Sequence, residues 1–323
     1  MHTPRVVVFD ERIADLSIER AVFDDVGVDL TLADGISPER VATEASDAFG
    51  IIVDANVPVP ASVIERLDDL RIVARSGIGF DNIDLEAAAD RNIRVTNVPD
   101  YCLEEVSTHA LALLLTLARK VHVYDRATSD GRWEWSDGVR IDRLSDLTLG
   151  LVGVGNIGRR MAAKASPIFG DLVAYDPYVP PEELRSRGVD PVSFETLLAR
   201  SDVVSLHPPL TDETTGMIDA AALETMGEGA ILVNTSRGEV IDQDALESAL
   251  DDGTIAAAGL DVLETEPPVD ESLLSRDDVV ATPHSAWYSE DSLVELRQSA
   301  AEEVKRTIQG REPRNPVSKN EWQ

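Results

Sequence analysis

The chain has 323 residues, 43% of them hydrophobic, enough to bury a large core and form about two domains. With 60 acidic against 29 basic residues its formal net charge is -31, spread along the chain, which argues against nucleic acid as a partner because that needs a basic footprint. No apolar run nears the ~20 residues of a membrane span, the start Met1-His2-Thr3-Pro4-Arg5-Val6 lacks a secretory signal's apolar core, and the lone Cys102 excludes an internal disulfide, so a cytoplasmic protein is expected. Only four basic residues are lysine (Lys120, Lys164, Lys305 and Lys319). Such an acidic surface repels itself and is best tolerated where salt screens it, the Debye length being ~3 Å at 1 M; the expectation is the cytosol of a salt-accumulating, halophilic microbe.

In chain order, apolar runs at Val6–Phe9, Ile51–Val53, Ile72–Ala74 and Val95–Val98 alternate with helical stretches, predicting an α/β layer with a parallel sheet. The third run leads into a glycine-rich loop, Arg75-Ser76-Gly77-Ile78-Gly79, whose successive N–H groups could form an anion-binding concavity. Glu104 to Val123 reads as one long helix, with Leu111, Leu114, Leu115 and Ala118 at helical spacing. Trp133-Glu134-Trp135 follows, and the stretch from Glu104 to Asp146 reads either as a helix and arm packed on a second subunit or as a segment buried in its own chain. From Leu147 to about Thr282 come repeated strand and helix units, with strands at Leu149–Val152, Leu172–Tyr175, Val203–Leu206, Ala230–Val233, Ala257–Leu260 and Val279–Ala281. Ser289 to Gly310 is an amphipathic helix, ending near Pro313 and Pro316. No further domain or regulatory appendage is expected. Residues 1–100 plus 287–323 are predicted to form one domain and 101–286 a dinucleotide-binding one, with the crossovers near Pro99 and Trp287 lining one cleft that holds the active site.

The second sheet opens with Gly153-Val154-Gly155-Asn156-Ile157-Gly158, placed between an apolar strand and a helical segment. Gly153 permits the tight turn, Gly155 lets the backbone approach a pyrophosphate, and Gly158 allows close helix packing, with phosphates at the positive end of the helix. The next strand ends at Asp176, where a carboxylate accepts from an adenosine ribose and repels a ribose phosphate; NAD is therefore favoured over NADP. His2, His109 and His122 fit no metal-ligand spacing with neighbouring acids, so no metal is expected.

Six ordered segments carry a resemblance: Arg75 to Asp84, the glycine turn with Asp176, Leu206 to Thr211, Asn234 to Gly238, Gly259 through Glu266-Pro267-Pro268, and Pro283-His284. The chain resembles the D-isomer-specific 2-hydroxyacid dehydrogenases, and Pro283-His284-Ser285-Ala286-Trp287-Tyr288-Ser289-Glu290 is most similar to the branch containing the C-terminal binding protein corepressors. The resemblance implies two Rossmann-like or flavodoxin-like domains with parallel sheets, a homodimer, and reversible reduction of small 2-oxo acids to D-2-hydroxy acids with NADH. It assigns Arg237, Glu266 and His284 to catalysis. These types suit the chemistry. Hydride addition leaves negative charge on the carbonyl oxygen, which a histidine of intrinsic pKa near ~6.5 can protonate, a carboxylate can hold and charge that histidine, and an arginine fork can clamp the substrate carboxylate.

By the same resemblance Arg75, Ser76, Gly77 and Ile78 bind the substrate carboxylate, with Trp287 walling an apolar side-chain pocket. Pro208 and Thr214 line the adenosine side of the coenzyme, and Thr235, Ser236 and Asp261 approach the nicotinamide, Asp261 accepting from the carboxamide. Thr108 and the strand-end His207 also lie near the coenzyme. Phosphoglycerate dehydrogenases of this family carry a basic residue where this chain has Asp54-Ala55-Asn56, and the acid here disfavours a phosphorylated substrate. The alternative is a corepressor-like regulatory protein that senses NAD. Formate dehydrogenase activity is disfavoured because Glu266 stands where that relative has glutamine.

Overall fold

The computed structural model describes residues 3–138, 140–269 and 272–317. His2, Lys319 and the outermost ends of the predicted first domain, residues 1–2 and 318–323, lie outside the described residues. The chain divides into two compact units, Met1–Tyr101 with Ser289–Gln323, and Cys102–Tyr288.

In the first unit, strands β1 (Arg5–Phe9), β2 (Asp29–Leu32), β3 (Gly50–Val53), β4 (Ile72–Arg75) and β5 (Arg94–Thr96) form one parallel sheet in the order β2-β1-β3-β4-β5. Helices α1 (Ser17–Val22), α2 (Pro38–Glu44), α3 (Ala61–Ile64) and α4 (Leu85–Asp90) connect them. Local chemistry fixes several starts: Ser37 caps α2 ahead of Pro38, and Asp84 accepts from Ala87 N to cap α4. The central strands β1, β3 and β4 are buried on both faces, as parallel sheets demand, and Val7, Phe9, Ile51, Val53, Val73 and Val95 feed one core. The carboxyl-terminal helix Glu290–Ile308 is opened by a Ser289 capping box. It packs on α1, β3 and β4, and Val304 comes so close to Gly50 that a Cβ there would stand 3.1 Å from Val304 Cγ1. The strand β2 escaped the sequence reading because Asp29–Leu32 is half polar and lies at the sheet edge.

The second unit holds seven parallel strands: β6 (Thr148–Val152), β7 (Asp171–Tyr175), β8 (Asp190–Pro191), β9 (Val203–Leu206), β10 (Ile231–Asn234), β11 (Ala257–Leu260) and β12 (Val279–Ala281), ordered β12-β11-β10-β9-β6-β7-β8. Its helices are α5 (Leu103–Ala118), α6 (Val121–Ser129), α7 (Asn156–Ala165), α8 (Pro181–Ser186), α9 (Phe194–Arg200), α10 (Ala220–Met226) and α11 (Gln243–Asp251). The period-2 rule is visible along β6, where Leu149 and Leu151 enter one core and Val152 the other. The single helix predicted over Glu104–Val123 is two. Lys120 takes the left-handed conformation at φ 53, and α6 starts afresh at Val121. Of the stretch from Glu104 to Asp146, the α5 part is buried in its own chain through Ala110, Leu113, Leu114 and Leu117, whereas Trp133 is 86% and Trp135 85% exposed, with the Trp135 carbonyl held by Tyr124 OH at 2.7 Å.

Each sheet has one place where the strand order reverses. The chain leaves β1 for β2 and returns to β3, and it leaves β6 for β7 and β8 before returning to β9. Ligands of open α/β sheets bind outside the carboxyl ends of strands at such switch points. In the second unit those ends carry the glycine turn and His207; in the first they carry Asp10, Arg12 and Asp54.

Candidate active site

At the β6/β9 switch point Gly153 leaves the strand at φ 83, in the left-handed region that favours glycine. A Cβ there would stand 2.9 Å from the backbone of His207 and Pro208, and a Cβ on Gly158 would fall 2.2 Å from Gly153 O. A Cβ on Gly155 would meet nothing within 4 Å, and no side chain caps the first N–H groups of α7. The turn is thus closed beneath by glycine contacts and open above, where uncapped helical amides suit a pyrophosphate. Asn156 and Ile157 form the first turn of α7.

Around this turn, Asp176 Oδ2 accepts from Val154 N at 2.7 Å and Oδ1 from Tyr178 N at 2.9 Å. It therefore braces the turn, while a carboxylate's remaining lone pairs can still meet ribose hydroxyls. The His207 ring nitrogen Nε2 lies 3.0 Å from Ser205 Oγ. Burial pushes its imidazole down to about 4, so the ring is neutral at physiological pH and unsuited to be a second acid. Thr214 Oγ1 donates to Pro209 O at 2.6 Å, closing the loop behind Pro208. Ser236 is held by Asn234 Oδ1 through both its N and Oγ. Thr235 Oγ1, by contrast, is buried with no hydrogen-bond partner. Buried hydroxyls are nearly always paired, so this strand-end orphan fits a polar group of a bound coenzyme. The residues present accommodate a dinucleotide.

The three catalytic candidates lie in the same unit, after β10, β11 and β12. His284 Nδ1 and Glu266 Oε2 are 2.7 Å apart. A carboxylate only accepts, so Nδ1 carries the proton and Nε2 is the nitrogen left for substrate. Glu266 Oε1 also accepts from Leu263 N at 2.9 Å. Burial pushes this carboxyl up, but the hydrogen bond and charge of His284, the Leu263 amide and the Arg237 guanidinium outweigh it and hold Glu266 below the ordinary carboxylate range. Gly238 makes room for that arrangement. A Cβ there would collide with the Leu263 carbonyl carbon at 2.0 Å, so only glycine lets the turn carrying Arg237 approach the Glu266 loop. Arg237 Nη1 donates to Ser236 O at 2.7 Å.

The sign of the Glu266 shift sets a pH expectation. A carboxyl lowered in the folded state keeps its ionised form, and the pairing it supports, at all pH values above its unfolded pKa, and loses them only as pH falls through the lowered value. In Glu266→Gln no charge supports the imidazolium, and the alkaline limb of the reductive kcat profile is expected to move toward acid with NADH affinity unchanged. An unmoved limb would mean that the pair does not set the protonation of the ring.

His284 itself sits at φ 50, a conformation unusual for a residue with a side chain. Its N–H is held by Asp261 O at 2.8 Å and Thr282 O at 2.9 Å, and its carbonyl accepts from Trp287 Nε1 at 2.9 Å. Trp287, read as a wall of the side-chain pocket, packs edge-on against Tyr288, and its indole N–H is tied to the His284 carbonyl. Asp261, 2% exposed, accepts from Thr282 Oγ1 at 2.6 Å, Ser285 N at 2.8 Å and Ala286 N at 2.9 Å. Its carboxylate holds the histidine loop, a task the carboxamide assignment did not include. Thr282 and His109, whose Nε2 lies 2.9 Å from Thr282 Oγ1, were missed for a plain reason. They are 173 residues apart, and only the position of Thr282 two residues before His284 signals the link. Thr108 Oγ1 donates to Glu104 O at 2.7 Å, and Thr108 lines a hollow of about 350 Å³ with Glu104, Glu105, His109, Ala112, Ala286 and Tyr288.

In the first unit, Arg75 (8% exposed) ends β4 and Ser76 (6%) follows it, and the Arg75 guanidinium covers Gly77 and donates to Ser76 O. The amide concavity read from this loop is not formed as expected. Ser76 N donates to Val53 O at 2.8 Å, which continues the β3–β4 pairing, and Gly77 N donates to Arg75 O at 3.0 Å in a tight local turn. The partly buried Ile78 has its carbonyl held by Asn97 Nδ2 at 2.7 Å.

Among the described residues no group of three or more His, Cys, Asp or Glu could hold a metal ion, and no helix is long and apolar enough to cross a membrane.

Comparison with known proteins follows the same lines. The sequence profile of the D-isomer specific 2-hydroxyacid dehydrogenase NAD binding domain matches residues 111–286. The chain is 41% identical over 286 residues to the glyoxylate reductase of Korarchaeum cryptofilum, covering 87% of this chain and 86% of that one. It is 38% identical over 293 residues to the D-3-phosphoglycerate dehydrogenase of Archaeoglobus fulgidus, covering 90% of this chain but 55% of the relative. The chain thus spans about half the length of the phosphoglycerate dehydrogenases it matches. Among solved structures, D-lactate dehydrogenase from Aquifex aeolicus, complexed with NAD and lactic acid, superposes with a TM-score of 0.86 at 29% identity, covering 94% of this chain and 96% of that one. The chain belongs to the D-isomer specific 2-hydroxyacid dehydrogenase family.

Proposed function

We propose that the chain reduces small, unphosphorylated 2-oxo acids to D-2-hydroxy acids with NADH, reversibly, using His284 as the general acid. The observation that carries this reading is the 2.7 Å pair of His284 Nδ1 and Glu266 Oε2, which leaves Nε2 to serve the substrate. The second unit takes the coenzyme at the glycine turn, and the first takes the substrate carboxylate through Arg75 to Ile78.

A nicotinamide coenzyme held at the glycine turn and Thr235 would, in its reduced form, supply the hydride that the carbonyl carbon takes up. Arg237 clamps the substrate carboxylate and polarises the carbonyl with a charge that cannot be lost. His284 donates the Nε2 proton to the carbonyl oxygen as negative charge develops there. Glu266 holds the ring by Nδ1 and stabilises the imidazolium before that donation. In the reverse direction the same histidine accepts the hydroxyl proton.

Asp176 supports NAD over NADP, since a carboxylate at the end of β7 repels a ribose phosphate. Asp54 stands where phosphoglycerate dehydrogenases of this family carry a basic residue, and that replacement supports rejection of phosphorylated acids; the carboxylate itself is 2% exposed and paired with Arg12 Nη2 at 3.0 Å. Relatives named glyoxylate reductase and hydroxypyruvate reductase act, by those names, on unphosphorylated 2-oxo acids. The exposed Trp133 and Trp135 support an arm that packs on a second copy in a homodimer. The net charge of -31 supports a salt-rich cytosol.

The test follows NADH and NADPH oxidation in ~1 M KCl, where surface charges are screened, against pyruvate, 2-oxobutanoate, 2-oxohexanoate, phenylpyruvate, glyoxylate, hydroxypyruvate and a phosphorylated 2-oxo acid. Turnover of an unphosphorylated acid with NADH preferred is expected. Preference for NADPH would overturn the reading of Asp176, and preference for the phosphorylated acid that of Asp54. Activity highest in dilute buffer would overturn the salt reading. Tight NADH binding without turnover of any acid would overturn the enzyme reading.

A further inference from the structure

We propose that His109 and Thr282 are positioning residues of the active site, joined to Asp261 in a one-way hydrogen-bond chain that fixes the loop carrying His284; the proposal rests on the dehydrogenase reading of that histidine.

The direction of the chain follows from counting protons. Thr282 Oγ1 donates its only proton to Asp261 Oδ1 at 2.6 Å. The 2.9 Å contact between the same oxygen and His109 Nε2 must then be a donation from Nε2–H into Thr282, which fixes the ring as the form protonated at Nε2. His109 thus orients Thr282, Thr282 orients Asp261, and Asp261 grips Ser285 N and Ala286 N at 2.8 and 2.9 Å. The backbone completes the clamp, since Asp261 O and Thr282 O share the His284 N–H. Both acceptors of the His284 N–H, at a residue held at φ 50, therefore belong to the two residues that His109 aligns.

The chain bridges elements that local sequence does not connect. His109 lies on α5, Asp261 just after β11 and Thr282 just after β12. The α5 helix packs on β10 and β11, and the interface is tight: a Cβ on Gly259 would stand 3.0 Å from Leu117 Cδ1. With α5 fixed to the sheet, the imidazole becomes a stop for the loop. Its side chain is 26% exposed, at the edge of the hollow it lines with Thr108, Ala286 and Tyr288, and His109 Nε2 is also only 3.7 Å from Asp261 Oδ1. A loop held at one end by Glu266 and at the other by this chain has little freedom to carry Nε2 of His284 away from a substrate oxygen. A displacement of ~1 Å there lowers turnover by up to ~100-fold.

The experiment compares His109→Leu, His109→Gln, Thr282→Val and Thr282→Ser in the full chain, reading kcat, KM for NADH, the melting temperature and the NMR titration of the His284 ring. Leucine at 109 and valine at 282 remove one link each without changing size greatly. They are expected to lower kcat by ~10- to 100-fold, with KM for NADH and the melting temperature unchanged and the His284 titration displaced. Glutamine at 109 and serine at 282 restore a donor and a hydroxyl, and are expected to recover most of the kcat. If Thr282→Val does not fold, His109→Leu carries the test alone, since its ring stands at the exposed end of the chain. Wild-type kcat and an unmoved His284 titration in the leucine variant would overturn the proposal, as would a loss that glutamine and serine fail to restore. Should the wild-type protein turn over no 2-oxo acid, the failure belongs to the dehydrogenase reading, and the titration alone decides: a displaced midpoint upholds the chain and an undisplaced one overturns it.

Discussion

Replacing His284 by alanine is expected to lower kcat for 2-oxo acid reduction by ~10²- to 10⁴-fold, the range supplied by one positioned general acid, while NADH binds as before. The separation of the two effects follows from where the parts sit. The glycine turn, Asp176 and Thr235 that fit the coenzyme belong to the carboxyl ends of β6, β7 and β10, whereas His284 follows β12 and is held by Glu266 and Asp261. Truncation removes the ring and leaves Asp261 bonded to Ser285 N and Ala286 N, so the loop keeps its backbone anchors. A variant that had merely unfolded would lose coenzyme as well, and fluorescence titration with NADH separates the cases. Arg237 would still hold the substrate carboxylate, so KM for the acid should change far less than kcat, the signature of a group acting in the transition state. Turnover within twofold of wild type would remove His284 from the role of acid.

Much of the fold was legible because parallel strands announce themselves as short apolar runs. Val6–Phe9, Leu149–Val152 and Val203–Leu206 are strands in the structure within a residue of their predicted bounds. What escaped is what periodicity cannot encode. Strands β2 and β8 are edge segments with polar or proline residues, and the break at Lys120 is a single backbone rotation inside an unbroken helical pattern. At the site, ordered motifs pointed to His284 and Glu266, and the structure brings those two into contact. Motifs did not reveal that Asp176 braces Val154 or that Asp261 clamps the histidine loop, since both are hydrogen bonds to backbone amides and leave no residue pattern. The loop after β4 failed in the opposite way. Its glycines suggested open amides, but strand pairing engages Ser76 N and a local turn engages Gly77 N, facts of register and backbone conformation and not of composition.

Replacing Arg297 by methionine is expected to destabilise the first unit by ~3–5 kcal/mol, the loss typical when one partner of a buried ion pair is removed. Arg297 stands on the carboxyl-terminal helix and Glu19 on α1, with side chains 11% and 2% exposed. The pairing is bidentate, Nε to Oε1 at 2.7 Å and Nη2 to Oε2 at 2.6 Å, and Nη2 also reaches Asp15 O at 2.6 Å. The hydrogen bond to Glu19 outweighs burial and raises the guanidinium above its ordinary value. Removing the arginine would leave Glu19 buried without a counter-charge, in a protein already carrying a net charge of -31. Replacing Glu19 by leucine as well should recover most of the loss, because a buried pair exchanged for apolar side chains is often neutral. Salt distinguishes this pair from the many arginine contacts on the surface. Exposed pairs fade within a Debye length of ~3 Å at 1 M, whereas a buried one is screened little. Calorimetric melts of the single and double variants in low and molar KCl should therefore show the same deficit for Arg297→Met in both. A deficit that vanished in molar KCl would mean that the pair is screened like a surface contact, and one that persisted in full after Glu19→Leu would mean that the arginine holds the helix to α1 by packing alone.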